Sequence, residues 1–168
     1  ASGLAMCATG SDTGGSVRLP AAYCGLAGLK VSKKCIPTDG IMTLSQTLDT
    51  PGPITRSTAD LALMFSIMLG LDGPHIERDI IHGLGLFGVD MEIFKGLKLG
   101  VLDDEERVFC TADVLESYDA ALKTLLALGA ELNVFKSPIA YDEMADLNGA
   151  ITMYEGYHNH RAYYDDPN

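Results

Sequence analysis

Four residues, Thr13-Gly14-Gly15-Ser16, concentrate more chemistry than any other stretch of the chain, with Asp12 just before them and Arg18 two positions after. A serine that attacks a carbonyl needs a base, and it needs a place for the negative charge that develops on the carbonyl oxygen. Gly14 and Gly15 have no Cβ, so their backbone N–H groups can turn toward one point and let a substrate come close. With the N–H groups of Thr13 and Ser16 they make a candidate oxyanion cradle. Asp12 and Arg18 are placed to brace the loop as an ion pair, a structural role. The base is harder to find. His75, His82, His158 and His160 all lie far downstream, none with an obvious acidic orienter. The G-x-S-x-G elbow fails because Arg18 stands where its second glycine belongs. Lysine is the remaining type of base. Lys30, Lys33 and Lys34 are near in sequence, though Lys30 follows "GLAGL" as if at the end of a strand. On the residues alone, a glycine-rich turn without chemistry stands as the alternative.

Three other patterns compete for a function. "GLGLFG", residues 83–88, has the letters of a dinucleotide-binding turn, but the strand before it, the helix after it and the acidic residue beyond are poor matches. It reads as a glycine loop. Glu155 and His158 form one E-x-x-H, with His160 two further on. A di-metal carboxylate site needs that motif twice with further Glu ligands, so a helix surface without metal is expected. "DDEER", residues 103–107, is expected to be a solvated loop at the end of a strand.

The elements that must position these groups follow from hydrophobic period. Residues 1–56, dense in Gly, Ala, Ser, Thr and Pro yet apolar, suit packed loops and short buried strands, "AAYCGLAGL" among them. Ser57 and Asp60 form an S-x-x-D cap, after which Leu61, Met64, Phe65, Met68 and Leu69 mark one helical face expected to be core. Gly70, Gly73 and Pro74 stop that helix, and a surface excursion follows to residue 96. "LKLGVL", residues 97–102, predicts a buried strand. A helix opening near Thr111 carries Val114, Leu115, Tyr118, Ala121, Leu122 and Leu125 on one side and closes at Gly129. "ELNVF" is the next strand, giving a right-handed parallel βαβ unit. A last helix starts near Tyr141.

Composition bounds the class. The chain has 168 residues, 47% hydrophobic and 21% charged, which is the profile of a globular protein. A net charge of -11 argues against a nucleic-acid partner. That charge is uneven: residues 1–56 hold five basic and three acidic residues, and the remainder seven basic and twenty acidic. The longest apolar run, Leu61 to Leu71, is too short to span a bilayer, so no membrane partner is expected. Cys7, Cys24, Cys35 and Cys110 form no CxxC pair and read as free thiols in a reducing, cytoplasmic compartment. The opening "ASGLAMCATG" has neither an initiator Met nor a charged region, and is expected to be a cut through a longer chain.

"GSDTGGSVRLPAAYCGLAGLK" followed by "IPTDGIMTLSQTLDTPGPITRSTADLALM" closely resembles the amidase signature family, over residues 1 to about 73. The resemblance implies an α/β fold, a mixed and largely parallel sheet covered by helices on both faces. It also implies amide hydrolysis or transfer through a Ser–cis-Ser–Lys triad. By the family pattern Ser16 is the acylated serine, and the N–H groups of Thr13, Gly14, Gly15 and Ser16 form the oxyanion hole. No metal or organic cofactor is implied. The family's bridging serine and lysine lie upstream of the positions present. Ser2 and Ser11 are not in that motif, and Lys30, Lys33 and Lys34 do not match the lysine.

Residues 1–168 are therefore expected to be an incomplete piece of one amidase signature domain. Its signature region is 1–73, its surface excursion 74–96, and its strand-helix-strand and terminal helix 97–168. Alone it is expected to be inactive and to need the remainder of the same polypeptide. A small or aryl amide is the expected substrate, with "IMTLSQTLDTPG" and the Tyr154–Tyr164 stretch as candidates either for lining a pocket or for packing. A homodimer stays open. The alternatives are a glutaminase-type component of an amidotransferase, although nothing in the sequence points to a channel or a tRNA surface, and a non-catalytic scaffold protein retaining the fold.

Overall fold

The computed structural model describes residues 1–70 and 91–165. The glycine loop 83–88, most of the excursion, His75, His82, Gly73, Pro74 and residues 166–168 lie outside the described residues. Those described divide into two units, one built from 1–70 with 145–165 and the other from 91–144.

In the first unit, β1 (Cys7–Asp12) and β2 (Ala27–Gly28) flank β3 (Thr50–Thr55). Both pairings are antiparallel, β1 on β3 running from Cys7↔Thr55 to Asp12↔Thr50. Every residue of β3 except Ile54 is buried, as a central strand should be. The apolar core is small, with Val17, Ala21, Val31 and Ile36 buried in this unit. Buried polar residues outnumber them: Asp12, Ser45, Asp49, Thr50, Thr55 and Ser66. The loop-and-strand expectation for "AAYCGLAGL" is corrected at its start. Residues 18–23 are a helix, α1 (Arg18–Tyr23), and β2 is left with two residues. The reason is local. The Asp12 carboxylate accepts from the N–H groups of Val17 and Arg18, donors that a helix start otherwise leaves unpaired. Pro20 falls in the first turn, where its missing N–H costs nothing.

Helix α2 (Thr58–Met68) begins as its capping pattern predicts. Asp60 N donates to Ser57 Oγ at 3.1 Å, and the Ser57 hydroxyl donates to the Asp60 carboxylate at 2.7 Å. Its expected core stripe is only half-buried: Leu61, Met64, Phe65, Met68 and Leu69 are all intermediate, and Ser66 alone is buried.

The second unit opens with a single 3-10 turn, Met91–Phe94, before β4 (Lys98–Leu102). Then come α3 (Asp104–Arg107), α4 (Ala112–Ala127) and β5 (Glu131–Phe135). β4 and β5 pair in parallel, Lys98↔Glu131 to Leu102↔Phe135, as the strand-helix-strand pattern predicts. Neither strand is buried: β4 is half exposed, and β5 is exposed at every residue but Leu132. Leu115, Tyr118, Leu122 and Leu125 are the half-buried side of α4, while Val114 and Ala121 of the expected stripe are exposed. The expected loop at "DDEER" is instead the single turn of α3, because Asp103 Oδ1 accepts from Glu106 N at 2.9 Å and caps it. The last helix, α5 (Tyr141–Tyr164), starts where its spacing predicts.

With antiparallel and parallel pairings both present, the described residues form a mixed α/β structure.

Candidate active site

The turn Thr13–Ser16 connects the end of β1 to the start of α1, and each side of it is held by a buried aspartate. Asp12 is fully buried and receives four hydrogen bonds. Val17 N and Arg18 N reach Oδ2 at 3.2 and 3.3 Å, and Arg18 adds Nε to Oδ2 at 3.0 Å and a terminal nitrogen to Oδ1 at 2.9 Å. Burial by itself raises the Asp12 carboxyl. The Arg18 guanidinium and the two backbone donors outweigh that, and the group lies below the ordinary aspartate range. The Arg18 guanidinium is raised in turn, chiefly by its bonds to Asp12. Its side chain stays half exposed, so this ion pair has one dry and one wet partner.

Asp49 holds the other side. It accepts from the Thr13 hydroxyl at 2.6 Å and from Leu44 N and Ser45 N at 2.8 and 3.0 Å, while its backbone carbonyl accepts from Lys33 Nζ at 2.7 Å. Lys33 is thereby engaged with backbone, and Lys30 Nζ likewise donates to Val31 O at 3.2 Å. Between the two aspartates, Gly15 takes a backbone conformation that residues with a side chain rarely adopt. Gly15 has φ +140°, and a Cβ there would stand 2.8 Å from Leu19 Cδ1. Its carbonyl accepts from Leu19 N at 2.7 Å, which ties the turn to α1. Gly15 is buried, whereas Ser16 is exposed.

A third support comes from α5. Asn148 Nδ2 donates to Thr13 O at 3.1 Å. Further along the same side, Glu155 accepts from the Ser45 hydroxyl, from the Thr47 hydroxyl and from Thr47 N. Asn159 Nδ2 donates to Leu44 O at 3.0 Å. Leu44 itself sits against Gly156, where a Cβ would come within 2.9 Å of Leu44 Cδ1. The Glu155 carboxyl is held below the ordinary glutamate range, first by the Ser45 hydroxyl and then by the two Thr47 donors.

The E-x-x-H of Glu155 and His158 is thus a docking contact on one side and an exposed histidine on the other. No group of metal-binding side chains occurs among the described residues. Of the two stretches considered for lining a pocket, "IMTLSQTLDTPG" does both: Leu44 to Thr47 are its seat for α5, and Ile41, Thr43, Ser45, Gln46 and Asp49 line a small cavity with Lys33 and Thr38. In the other, Tyr154, Tyr157, Tyr163 and Tyr164 are exposed.

Asp12, Thr13, Gly14, Gly15, Ser16 and Arg18 are all brought together by this geometry. Asp49, Asn148 and Glu155 are supports that the reading of the sequence missed. A signal for the last two was present. Asn148, Thr152, Glu155 and Asn159 recur at i, i+4, i+7 and i+11, one face of a helix, and that polar face is the half-buried one.

The sequence profile of the Amidase family matches residues 1–167, and the chain belongs to that family, the amidase signature enzymes. It is 31% identical over 174 residues to a glutamyl-tRNA(Gln) amidotransferase component of Alkaliphilus metalliredigens, covering 96% of this chain and 35% of that protein. Among solved structures, it resembles the corresponding glutamyl-tRNA(Gln) amidotransferase component of Thermotoga maritima, with 28% identity and a TM-score of 0.70 over 93% of this chain and 34% of that one. The peptide amidase of Stenotrophomonas maltophilia, at 22% identity and a TM-score of 0.68 over 96% of this chain and 33% of that one, shares the fold. The chain spans about a third of the length of these relatives.

Proposed function

We propose that this chain carries the nucleophile of an amide hydrolase, with Ser16 forming the acyl-enzyme. The observation that carries the reading is the turn itself. An exposed serine follows two glycines; after it a buried carboxylate holds the backbone N–H groups of Val17 and Arg18, and before it a second buried carboxylate holds the Thr13 hydroxyl. Such rigidity is what a preorganised oxyanion site requires, since donors that need not reorganise stabilise the transition state most. The N–H groups of Thr13, Gly14, Gly15 and Ser16 supply those donors, and Asp12 with Arg18 supports them without touching substrate.

In the family's chemistry a neutral lysine takes a proton from the bridging serine, which takes that of Ser16 as its Oγ bonds to the amide carbon. The C–N bond then breaks, the amine leaves protonated, and water releases the carboxylate. The lysine and bridging serine belong to positions outside residues 1–168, in the remainder of the same polypeptide. No metal or organic cofactor enters the scheme. The compartment is the cytoplasm, in keeping with four free cysteines.

A fluorophosphonate applied to the intact enzyme tests the assignment. Mass spectrometry should find the adduct on Ser16, and Ser16→Ala should lower kcat by at least about a thousandfold. An adduct elsewhere, or turnover that survives Ser16→Ala, would sink it.

A second reading is favoured by the match to an amidotransferase component over nearly the whole chain. In it the amide is glutamine and the ammonia passes to a partner protein. Glutaminase activity that rises only when a partner is added would select that reading over a free-standing hydrolase of small or aryl amides.

A further inference from the structure

Across a trans peptide the C=O of one residue and the N–H of the next point in opposite directions. Fixing a carbonyl therefore aims an N–H. In the glycine turn two carbonyls are fixed. Gly15 O is held by Leu19 N, which sets the direction of the Ser16 N–H from within the turn's own helix. Thr13 O is held by Asn148 Nδ2 at 3.1 Å, which sets the direction of the Gly14 N–H. The second tie differs in kind, because a side chain 135 residues away provides it. Asn148 also lies against the same peptide: a Cβ placed on Gly14 would be 3.0 Å from Asn148 Oδ1. One amide group thus bonds the Thr13–Gly14 plane and limits the room in which it can turn.

We propose, on the reading that Ser16 is the nucleophile, that Asn148 is a positioning residue that aims the Gly14 N–H at the developing oxyanion. It acts through the Thr13–Gly14 peptide and not on the substrate. Two features separate this role from general support. The Thr13 side chain has its own anchor on Asp49, so losing Asn148 frees the peptide plane without releasing the residue. Glu155 and Asn159 still seat α5 on residues 44–47, so the helix stays docked. Removing an oxyanion donor outright costs about a hundredfold to a thousandfold in kcat. A donor left in place but misdirected should cost less, about tenfold to a hundredfold.

The test uses the intact enzyme with Asn148→Ala and the near-isosteric Asn148→Asp, which turns an acceptor toward the Thr13 carbonyl. Measured for each are kcat, KM, the rate of Ser16 phosphonylation by a fluorophosphonate, and Tm. Both variants should keep KM within about twofold, while kcat and phosphonylation fall together by the expected factor. Asn148→Asp should fall at least as far as Asn148→Ala. Unchanged kcat in both would overturn the proposal. So would a rise in KM at constant kcat, which would make Asn148 a substrate contact, or loss of the fold in both, which would make it a structural one. If Ser16 of the unsubstituted enzyme takes no label, the nucleophile reading has failed. If it labels and both variants label as fast, only the aiming has failed.

Discussion

The two units use opposite means to hold a backbone in place. In residues 91–144 the order comes from period and pairing: β4 and β5 run in parallel register, and the half-buried side of α4 repeats every three or four residues. In residues 1–70 with 145–165 the decisive bonds run between side chains and backbone, from Asp12 to Val17 and Arg18, from Asp49 to Leu44 and Ser45, and from Asn148 to Thr13. Apolar packing is non-directional and tolerates exchange of side chains of similar volume. A carboxylate receiving several N–H bonds tolerates no such exchange. The unit that presents the serine buries Val17, Ala21, Val31 and Ile36 and the other buries Ala130, so its directional bonds, not the size of its core, set it apart. A site whose donors must point at one spot is better held by directional bonds than by area.

Asp12→Ala in the intact enzyme should separate the two means most widely. It strands the Val17 N–H in a buried site and releases Arg18, at a cost of about 3 kcal/mol in a denaturant titration. Activity should fall at least about a hundredfold, because the turn loses its downstream anchor. A loss under about 1 kcal/mol would mean that packing, not the carboxylate, holds the turn.

Acid should act next, and on the same unit. Asp12 and Glu155 both sit below their ordinary values when folded, so on acidification the unfolded chain takes up their protons first. Stability from these groups is therefore complete above the unfolded values, near pH 4, and drains away as the pH falls through the folded ones. Glu155→Gln should flatten the acid limb of a Tm-against-pH curve. An unaltered limb would show that the Ser45 and Thr47 contacts add nothing.

Tyr118→Phe is expected to do least. It removes the hydroxyl that accepts from Leu102 N at 3.1 Å, for about 1 kcal/mol, and should leave kcat and KM where they were. A drop in kcat would mean that the second unit matters to catalysis in a way its contacts do not reveal.

Legibility followed separation along the chain and cut across the two units. The Ser57–Asp60 cap, the strand-helix-strand run and the start of α5 were readable because their determinants lie within a few residues of one another. So was the Asp12–Arg18 pair, which brackets Ser16 within four residues on one side and two on the other. Asp49, Asn148 and Glu155 were not assigned. The polar stripe of α5 marks Asn148 and Glu155 as facing something, but what they meet lies 135 and 110 residues away, as the Thr13 hydroxyl lies 36 from Asp49, and no spacing rule reaches that far. Glu155 with His158 has the letters of half a metal motif, was expected to be plain helix surface, and is instead the docking contact for residues 45–47. Nor does a hydrophobic period describe α5, where Met153, Tyr154 and Tyr157 are exposed while the polar stripe is turned inward.

The contact of Leu44 with Gly156 has a consequence for how this segment can diverge. It works as a notch that indexes α5 like a ruler. With Leu44 seated there, Asn148 stands about 12 Å back along the axis, at a rise of about 1.5 Å per residue. Inserting or deleting one residue between them would rotate Asn148 by about 100° and carry it off the Thr13 carbonyl. The exposed letters Met153, Tyr154 and Tyr157 can be rewritten without moving that mark. Over this interval the outward face is free in spelling while the helix is frozen in length.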